Sequence, residues 1–453
     1  MDYKSDDFIK KFTKSNILND WRGSLHVQNG SISQNKNPKN NFKDVISFPD
    51  IFYSKLAEDL TSENPNIVKK ELNNFYRIST KQNFSFSSAF VTHNLHNILY
   101  NLLQSDRSNL SILLKIFANI TASGFSQVFL EVDLLETLVD IFQGCGNETL
   151  SNYALTSIVN LTGDLVEFRD LVFEYLPYFI ELAQKPKTNK ITKQSIFTLV
   201  MNLSLFDLAD EQFNEVGNIV LSLLDYLDEL STKILTHTIL LLTNHSRFYE
   251  FFKNTKVTQF LSTNLSSSDA VLLKSTLLIE EKIYHHLTFT EIPEIFKLSL
   301  LLSSKNGNII ISSCRVLTEI FGNSPDALNN EDGLIIAQIL ANLVIHESIK
   351  IKNEAFYCLI CLIYIRNNLL LNIVNDDFVV RLCDFLDSDD DVLVIQTIII
   401  LDIIFSLEAN RTCERPLFEC FLNSNGMAII DELHENQNLE IAEYSLVFNQ
   451  KFF

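Results

Sequence analysis

Three asparagines, Asn119, Asn160 and Asn202, recur at intervals of 41 and 42 residues, each inside an apolar stretch: LLKIFANITASG, ALTSIVNLTGD and IFTLVMNLSLF. An amide side chain carries two donor hydrogens and one acceptor carbonyl, so it can hold the main chain of an extended peptide whatever side chains that peptide bears. Repeated on successive stacked helices, such amides would line a peptide-binding groove. The same residues admit a structural reading, in which each amide satisfies backbone groups within its own repeat, as buried amides usually do.

The elements that would position these amides follow from their period. A recurrence near 40 residues is that of a helical repeat array, in which each unit buries its apolar faces only by stacking on its neighbours. From about residue 47 the chain reads as helix after helix, divided by short polar breaks such as TSENPN, QSDRSN, QGCGNE, QKPKTN, SSKNGN and HENQN. Successive breaks enclose roughly 35 to 45 residues, the period of armadillo or HEAT units, which predicts about nine or ten units up to Phe453. One unit shows the pattern: VDLLETLVDIF is an amphipathic helix, QGCGNE a turn, and TLSNYALTSIVNL the next helix. With 8 prolines and 11 glycines in 453 residues and little strand-like alternation, the class is all-α.

The formal net charge is -20, which argues against a nucleic-acid partner and for basic ones. Through Lys43 there are 8 Lys/Arg and 4 acids, of 36 and 56 in all, so a mildly basic segment precedes a strongly acidic body. Residues 1–44 are polar and too poor in apolar side chains to build a core, which predicts a flexible arm that folds onto the body or is handed to an acidic partner. Within it Phe8, Phe12, Ile17, Leu18 and Trp21 could form one face of a short bound helix.

Seven cysteines scattered through apolar stretches point to a reducing compartment. Cys358 and Cys361 form a Cys-x-x-Cys in FYCLICLIYI without a second pair at metal-site spacing, so a packed helix face is the expected role. VLVIQTIIILDIIF is interrupted by Gln396 and Asp402, and no membrane span is expected. The adjacent His285 and His286 point about 100° apart on a helix and do not form an i, i+4 chelating pair. DSDDD at Asp387–Asp391 lacks the glycine and glutamate of a calcium loop and reads as an inter-helix turn. With no phosphate loop, zinc-protease helix or nucleophile elbow in the sequence, neither an enzyme nor a cofactor or metal site is expected.

The stretch VNLTGDLVEFRDLVF, Val159–Phe173, resembles the second repeat of importin-α, where an asparagine is followed four residues later by the aspartate of a Gly-Asp pair and then by Arg-Asp-Leu-Val. The last unit, GMAIIDELHENQNLEIAEYSLVFNQKFF, is similar to the family's terminal repeat, so the resemblance runs over about residues 50 to 453. It implies a right-handed superhelix with a concave groove that binds basic nuclear-localisation peptides. In that family the asparagines hold the peptide backbone, which implies this role for Asn119, Asn160 and Asn202, and the aspartate matched by Asp164 pairs with the signal's critical lysine. Family tryptophans four residues before each asparagine wall slots for lysine and arginine stems, each cation–π contact being worth about 0.5–2 kcal/mol.

Here those positions hold Lys115, Thr156 and Thr198, a change expected to weaken a lysine-rich ligand by several kcal/mol, at about 0.5–2 kcal/mol per lost contact. Further along, the aligned pairs are His237 with Leu241, Arg315 with Glu319, and Tyr357 with Cys361, leaving Glu319 as a cation partner in a dismantled second site. Residues 1–44 have the layout of the family's importin-β-binding segment but only one arginine, Arg22, and would be a degenerate version of it, able to contact the groove in the same chain. The expectation is a nuclear import adaptor that links basic cargo peptides to importin-β, working in cytoplasm and nucleus. The alternative is an armadillo scaffold without transport activity that binds another extended peptide.

Overall fold

The computed structural model describes residues 48–453 except 82–85, 254, 288, 290, 291, 293, 325–327, 329, 367, 368, 370–372 and 412–415. The expected arm over residues 1–44, and Cys413, lie outside the described residues. Every regular element described is helical, and the chain divides into two compact units, one ending at Phe206 and one starting at Asp207.

Unit 1 contains α1 (Asp50–Leu60), α2 (Pro65–Ser79), α3 (Ser88–Thr92), α4 (Leu95–Ser105), α5 (Leu110–Ala122), α6 (Leu134–Gly144), α7 (Glu148–Asp164), α8 (Val166–Val172), α9 (Leu176–Gln184) and α10 (Lys190–Leu203). The expected helix–turn–helix of one unit appears as α6 and α7. In α6, Leu134, Leu135, Leu138, Val139, Ile141 and Phe142 are buried while Glu136 and Asp140 are exposed, the stripe of a one-sided helix. α7 differs because it packs against α5 on one side and α10 on the other. It therefore buries Ala154, Leu155, Ser157, Ile158, Val159, Leu161 and Thr162 around more of its circumference.

Unit 2 contains α11 (Asp210–Leu223), α12 (Glu229–Leu242), α13 (Phe248–Phe252), α14 (Lys256–Asn264), α15 (Ala270–His286), α16 (Ile295–Leu301), α17 (Gly307–Asn323), α18 (Asn330–Val344), α19 (Ile349–Ile365), α20 (Asp376–Leu386), α21 (Asp391–Arg411), α22 (Pro416–Asn423), α23 (Gly426–Leu433) and α24 (Leu439–Phe452). The successive helices α15, α17 and α19 pack side by side. Phe405 gathers Phe418, Phe421, Phe448 and Phe452 within 5.1–6.0 Å, closing the last repeat on a ring cluster.

A second ladder sets where the stacking helices begin. The residues Asn64, Asp106, Asn147, Asn189, Asp228, Asp269, Asn306, Asp390 and Asn438 each accept a backbone N–H at the entrance to one of them, at 2.8–3.1 Å in the shortest contact of each. Helix starts leave donors without intrahelical partners, and an Asn or Asp cap satisfies one or two of them. Only the start of α19 departs: Ser348 holds the position without a side-chain cap bond. Five of this chain's asparagines thus serve as helix punctuation.

α21 is long and apolar enough to cross a membrane by length and composition, but over half of that window is buried in unit 2. Its two polar interruptions have protein partners. Asp402 receives Lys451 Nζ at 2.7 and 2.9 Å, and Gln396 Oε1 accepts from Tyr364 at 2.9 Å. Cys358 is fully buried on α19, where burial holds its thiol well above the usual range and raises Cys361 as well. That is the packed helix face read from the sequence, with neither thiol activated.

Candidate peptide-binding face

The cap ladder fixes a common register. Thirteen residues beyond the cap, Asn119, Asn160 and Asn202 take equivalent places on α5, α7 and α10, and Lys115, Thr156 and Thr198 precede each by one turn on the same side. In unit 2 the same register gives the pairs His237 with Leu241 on α12, Arg315 with Glu319 on α17, and Tyr357 with Cys361 on α19. It also gives pairs that the asparagine pattern did not, among them Leu278 with Lys282 on α15.

Each asparagine of unit 1 reaches back to the preceding repeat. Asn119 Nδ2 donates to Ser79 Oγ at 2.9 Å, and Asn160 Nδ2 to the Ala118 carbonyl and Thr121 Oγ1, both at 3.2 Å. Asn202 Nδ2 donates to the Val159 carbonyl at 2.7 Å. Asn160 and Asn202 thus hold the carbonyl just before the asparagine of the repeat below. The local partner lies in the neighbouring repeat, not within the same one as the structural reading of the sequence had it. Asn119 and Asn160 remain half-exposed, whereas Asn202 is buried against Gly163, where an added Cβ would lie 2.7 Å from Asn202 Nδ2. Asn119 and Asn202 each give one donor hydrogen to the fold and Asn160 reaches two acceptors, while the Oδ1 acceptor of each amide is outside these bonds.

Asp164 ends α7 and is half-exposed. Its Oδ2 accepts from the Ser126 backbone N–H at 3.3 Å, where the turn at Gly124, with φ +74°, delivers the start of a short 3-10 helix. A carboxylate at such a start is favoured by the exposed N–H groups, and Oδ1 is left for a second partner. Thr156 and Thr198 return their hydroxyls to their own helix, to the Asn152 carbonyl at 2.8 Å and the Gln194 carbonyl at 2.9 Å. Neither walls a slot. Lys115 Nζ lies 5.7 Å from the Tyr76 ring centroid and 5.5 Å from that of Tyr153, rings supplied by the repeats before and after it.

In unit 2 several of the same positions are partnered by residues of neighbouring repeats. Lys282 Nζ donates to Thr243 Oγ1 at 3.1 Å and to Asn244 Oδ1 at 2.9 Å, reaching back as the asparagines do. Glu319, expected as a cation partner, receives His285 Nδ1 at 2.9 Å. Arg315 pairs with Glu354, and Tyr357 donates to Asp390 Oδ2 at 2.8 Å. His237 is half-buried, and burial lowers its pKa. Among the described residues no cluster of His, Cys, Asp or Glu could hold a metal ion.

No protein-family model matches the sequence, and no curated protein matches it. Among solved structures the chain is similar to an engineered protein, with TM-score 0.65 and 16% identity over 89% of this chain and 98% of that one. That likeness shows the fold. It also resembles a designed armadillo repeat protein in complex with a (KR)4 peptide (TM-score 0.44, 15% identity, 51% of this chain, 99% of that one) and computationally designed armadillo repeat proteins for modular peptide recognition (TM-score 0.42, 16% identity, 51% and 99%). The chain is an all-α solenoid of stacked helical repeats.

Proposed function

We propose that the face of unit 1 bearing Asn119, Asn160, Asp164 and Asn202 binds an extended peptide, and that the chain is a nuclear import adaptor whose ligands are basic localisation segments passed to importin-β. One observation carries the peptide-binding part: amides repeat in register on adjacent helices, each using its Nδ2 within the fold and none its Oδ1 in those bonds, beside the half-exposed carboxylate of Asp164. Repeats in register match the repeat of an extended main chain, and a carboxylate with an open oxygen takes a lysine through a charge-assisted bond. The importin-α resemblance of Val159–Phe173 supports the cargo and the importin-β link, and with them a life between cytoplasm and nucleus. A chain at net charge -20 also attracts basic ligands at long range.

The scaffold reading, with another extended peptide and no transport, draws on the lost aromatic walls at Thr156 and Thr198, whose hydroxyls turn back to their helices. The two readings share a site and differ in ligand. A fluorescent lysine-rich peptide titrated into the full-length chain at two salt concentrations separates them. The adaptor reading expects binding that weakens with salt and falls about tenfold or more in Asp164→Ala, the loss of one charge-assisted bond. Binding that ignores both salt and Asp164 would reject it.

A further inference from the structure

Lys115 is held by two aromatic rings at once. Its Nζ sits between two tyrosine rings from different helices, Tyr76 of α2 at 5.7 Å and Tyr153 of α7 at 5.5 Å, and all three side chains are half-exposed. A cation over an aromatic face is held by the ring quadrupole, and two faces hold it twice. The backbone carbonyls of both tyrosines accept a serine hydroxyl. Ser79 Oγ donates to the Tyr76 carbonyl at 2.9 Å and in turn accepts Asn119 Nδ2 at 2.9 Å, one turn beyond Lys115 on its own helix. On the other side the Tyr153 carbonyl accepts Ser157 Oγ at 3.1 Å.

We infer that Lys115 is the resident occupant of a two-tyrosine cation slot and a determinant of specificity for the peptide that this face binds. The inference rests on the extended-peptide reading and narrows its ligand: the residue lying over α5 is neutral or acidic, while basic residues are taken further along, toward Asp164. A ligand lysine or arginine over α5 meets a like charge and rings already engaged. An acidic side chain meets the N–H groups of Lys115 that the rings leave outward. Removing the Lys115 charge opens the slot to a cation from the ligand.

The test has one arm without ligand and one with it. In full-length protein carrying labelled lysine, the ε-methylene protons of Lys115 are expected upfield of those of the other lysines because of the two rings, and to return partway in Tyr76→Leu and in Tyr153→Leu. A Lys115 signal among the other lysines overturns the slot. In the second arm, tetralysine-containing peptides and versions with single Lys-to-Glu changes are titrated into wild type, Lys115→Ala and Lys115→Met, the methionine keeping the stem packed. Wild type is expected to prefer glutamate at one position, and both variants to lose that preference and bind lysine there about two- to fivefold tighter. Unchanged preference in both variants overturns the specificity role. An upfield Lys115 signal with no binding by any peptide to any of the proteins supports the slot and rejects the peptide-binding reading instead.

Discussion

At the scale of single residues, the Asn202 amide and the backbone of Gly163 are fitted to each other. The amide crosses from α10 to hold the Val159 carbonyl at 2.7 Å, and it passes so close to Gly163 that a Cβ there would lie 2.7 Å from Nδ2 and 3.0 Å from Cγ. Gly163→Ala is therefore expected to push the amide off its carbonyl and cost about 1–3 kcal/mol in urea denaturation. Asn202→Ala is expected to cost about 1 kcal/mol by removing the amide's bond to a carbonyl that otherwise has only its own helix for a partner. Because both changes break one latch, the double variant should cost clearly less than the sum, and additive losses would show that the two residues act separately. Ligand binding ranks the residues differently: Asp164→Ala should weaken a lysine-rich peptide more than Asn202→Ala, since only the aspartate brings a charge.

Among the helices, what fixes the repeat is the cap. Asn147 holds the N–H groups of Thr149 and Leu150 at 3.0 and 3.2 Å, and Asn147→Ala is expected to cost about 1 kcal/mol on thermal or urea unfolding. Ser348 makes no such bond, so Ser348→Asp should gain about 0.5 kcal/mol through the cap and the helix dipole; a loss there would mean that the uncapped start of α19 serves something else. The polar breaks made the helix order legible in the sequence, because capping residues and turns interrupt an otherwise apolar, 3.6-periodic chain. The caps themselves carried a better register than the amides did, and it was this register that exposed the pair Leu278 and Lys282. The clamp around Lys115 was not legible, because Tyr76 and Tyr153 lie roughly one repeat away on either side and meet it only once the repeats stack. Nor did the sequence reveal that the amides latch onto the neighbouring repeat, since an asparagine pattern alone does not distinguish a ligand's carbonyl from the chain's own.

For the molecule as a whole, two neighbouring glutamates, Glu280 buried and Glu281 half-buried, tie stability to pH. Glu280 is 4% exposed with Oε2 unpaired, and burial, aided by the charge of Glu294 and opposed by Lys297, pushes its pKa up to about 8 from 4.5. Burial likewise raises Glu281 to about 7, with Arg315 opposing and Glu319 and Glu354 adding. Both groups keep their protons to higher pH in the folded chain than in the unfolded one. Their stabilising effect is complete below about pH 4.5 and is lost as pH climbs through about 7 to 8, at up to about 1.4 kcal/mol per pH unit for each group. The full-length chain should therefore melt higher at pH 5.5 than at pH 8, and Glu280→Gln with Glu281→Gln should flatten the difference; an equal pH dependence in the variant would refute the assignment.

The central claim, that a single face of unit 1 receives an extended basic peptide, is tested most directly by photo-crosslinking. A lysine-rich peptide bearing a photoreactive group is bound to the full-length chain, irradiated, and the crosslinks are mapped by mass spectrometry. Crosslinks concentrated on α5, α7 and α10 near Asn119, Asn160 and Asn202, and lost in Asp164→Ala, are the result this account predicts. Crosslinks that fall elsewhere, or that persist unchanged without the Asp164 carboxylate, would contradict it.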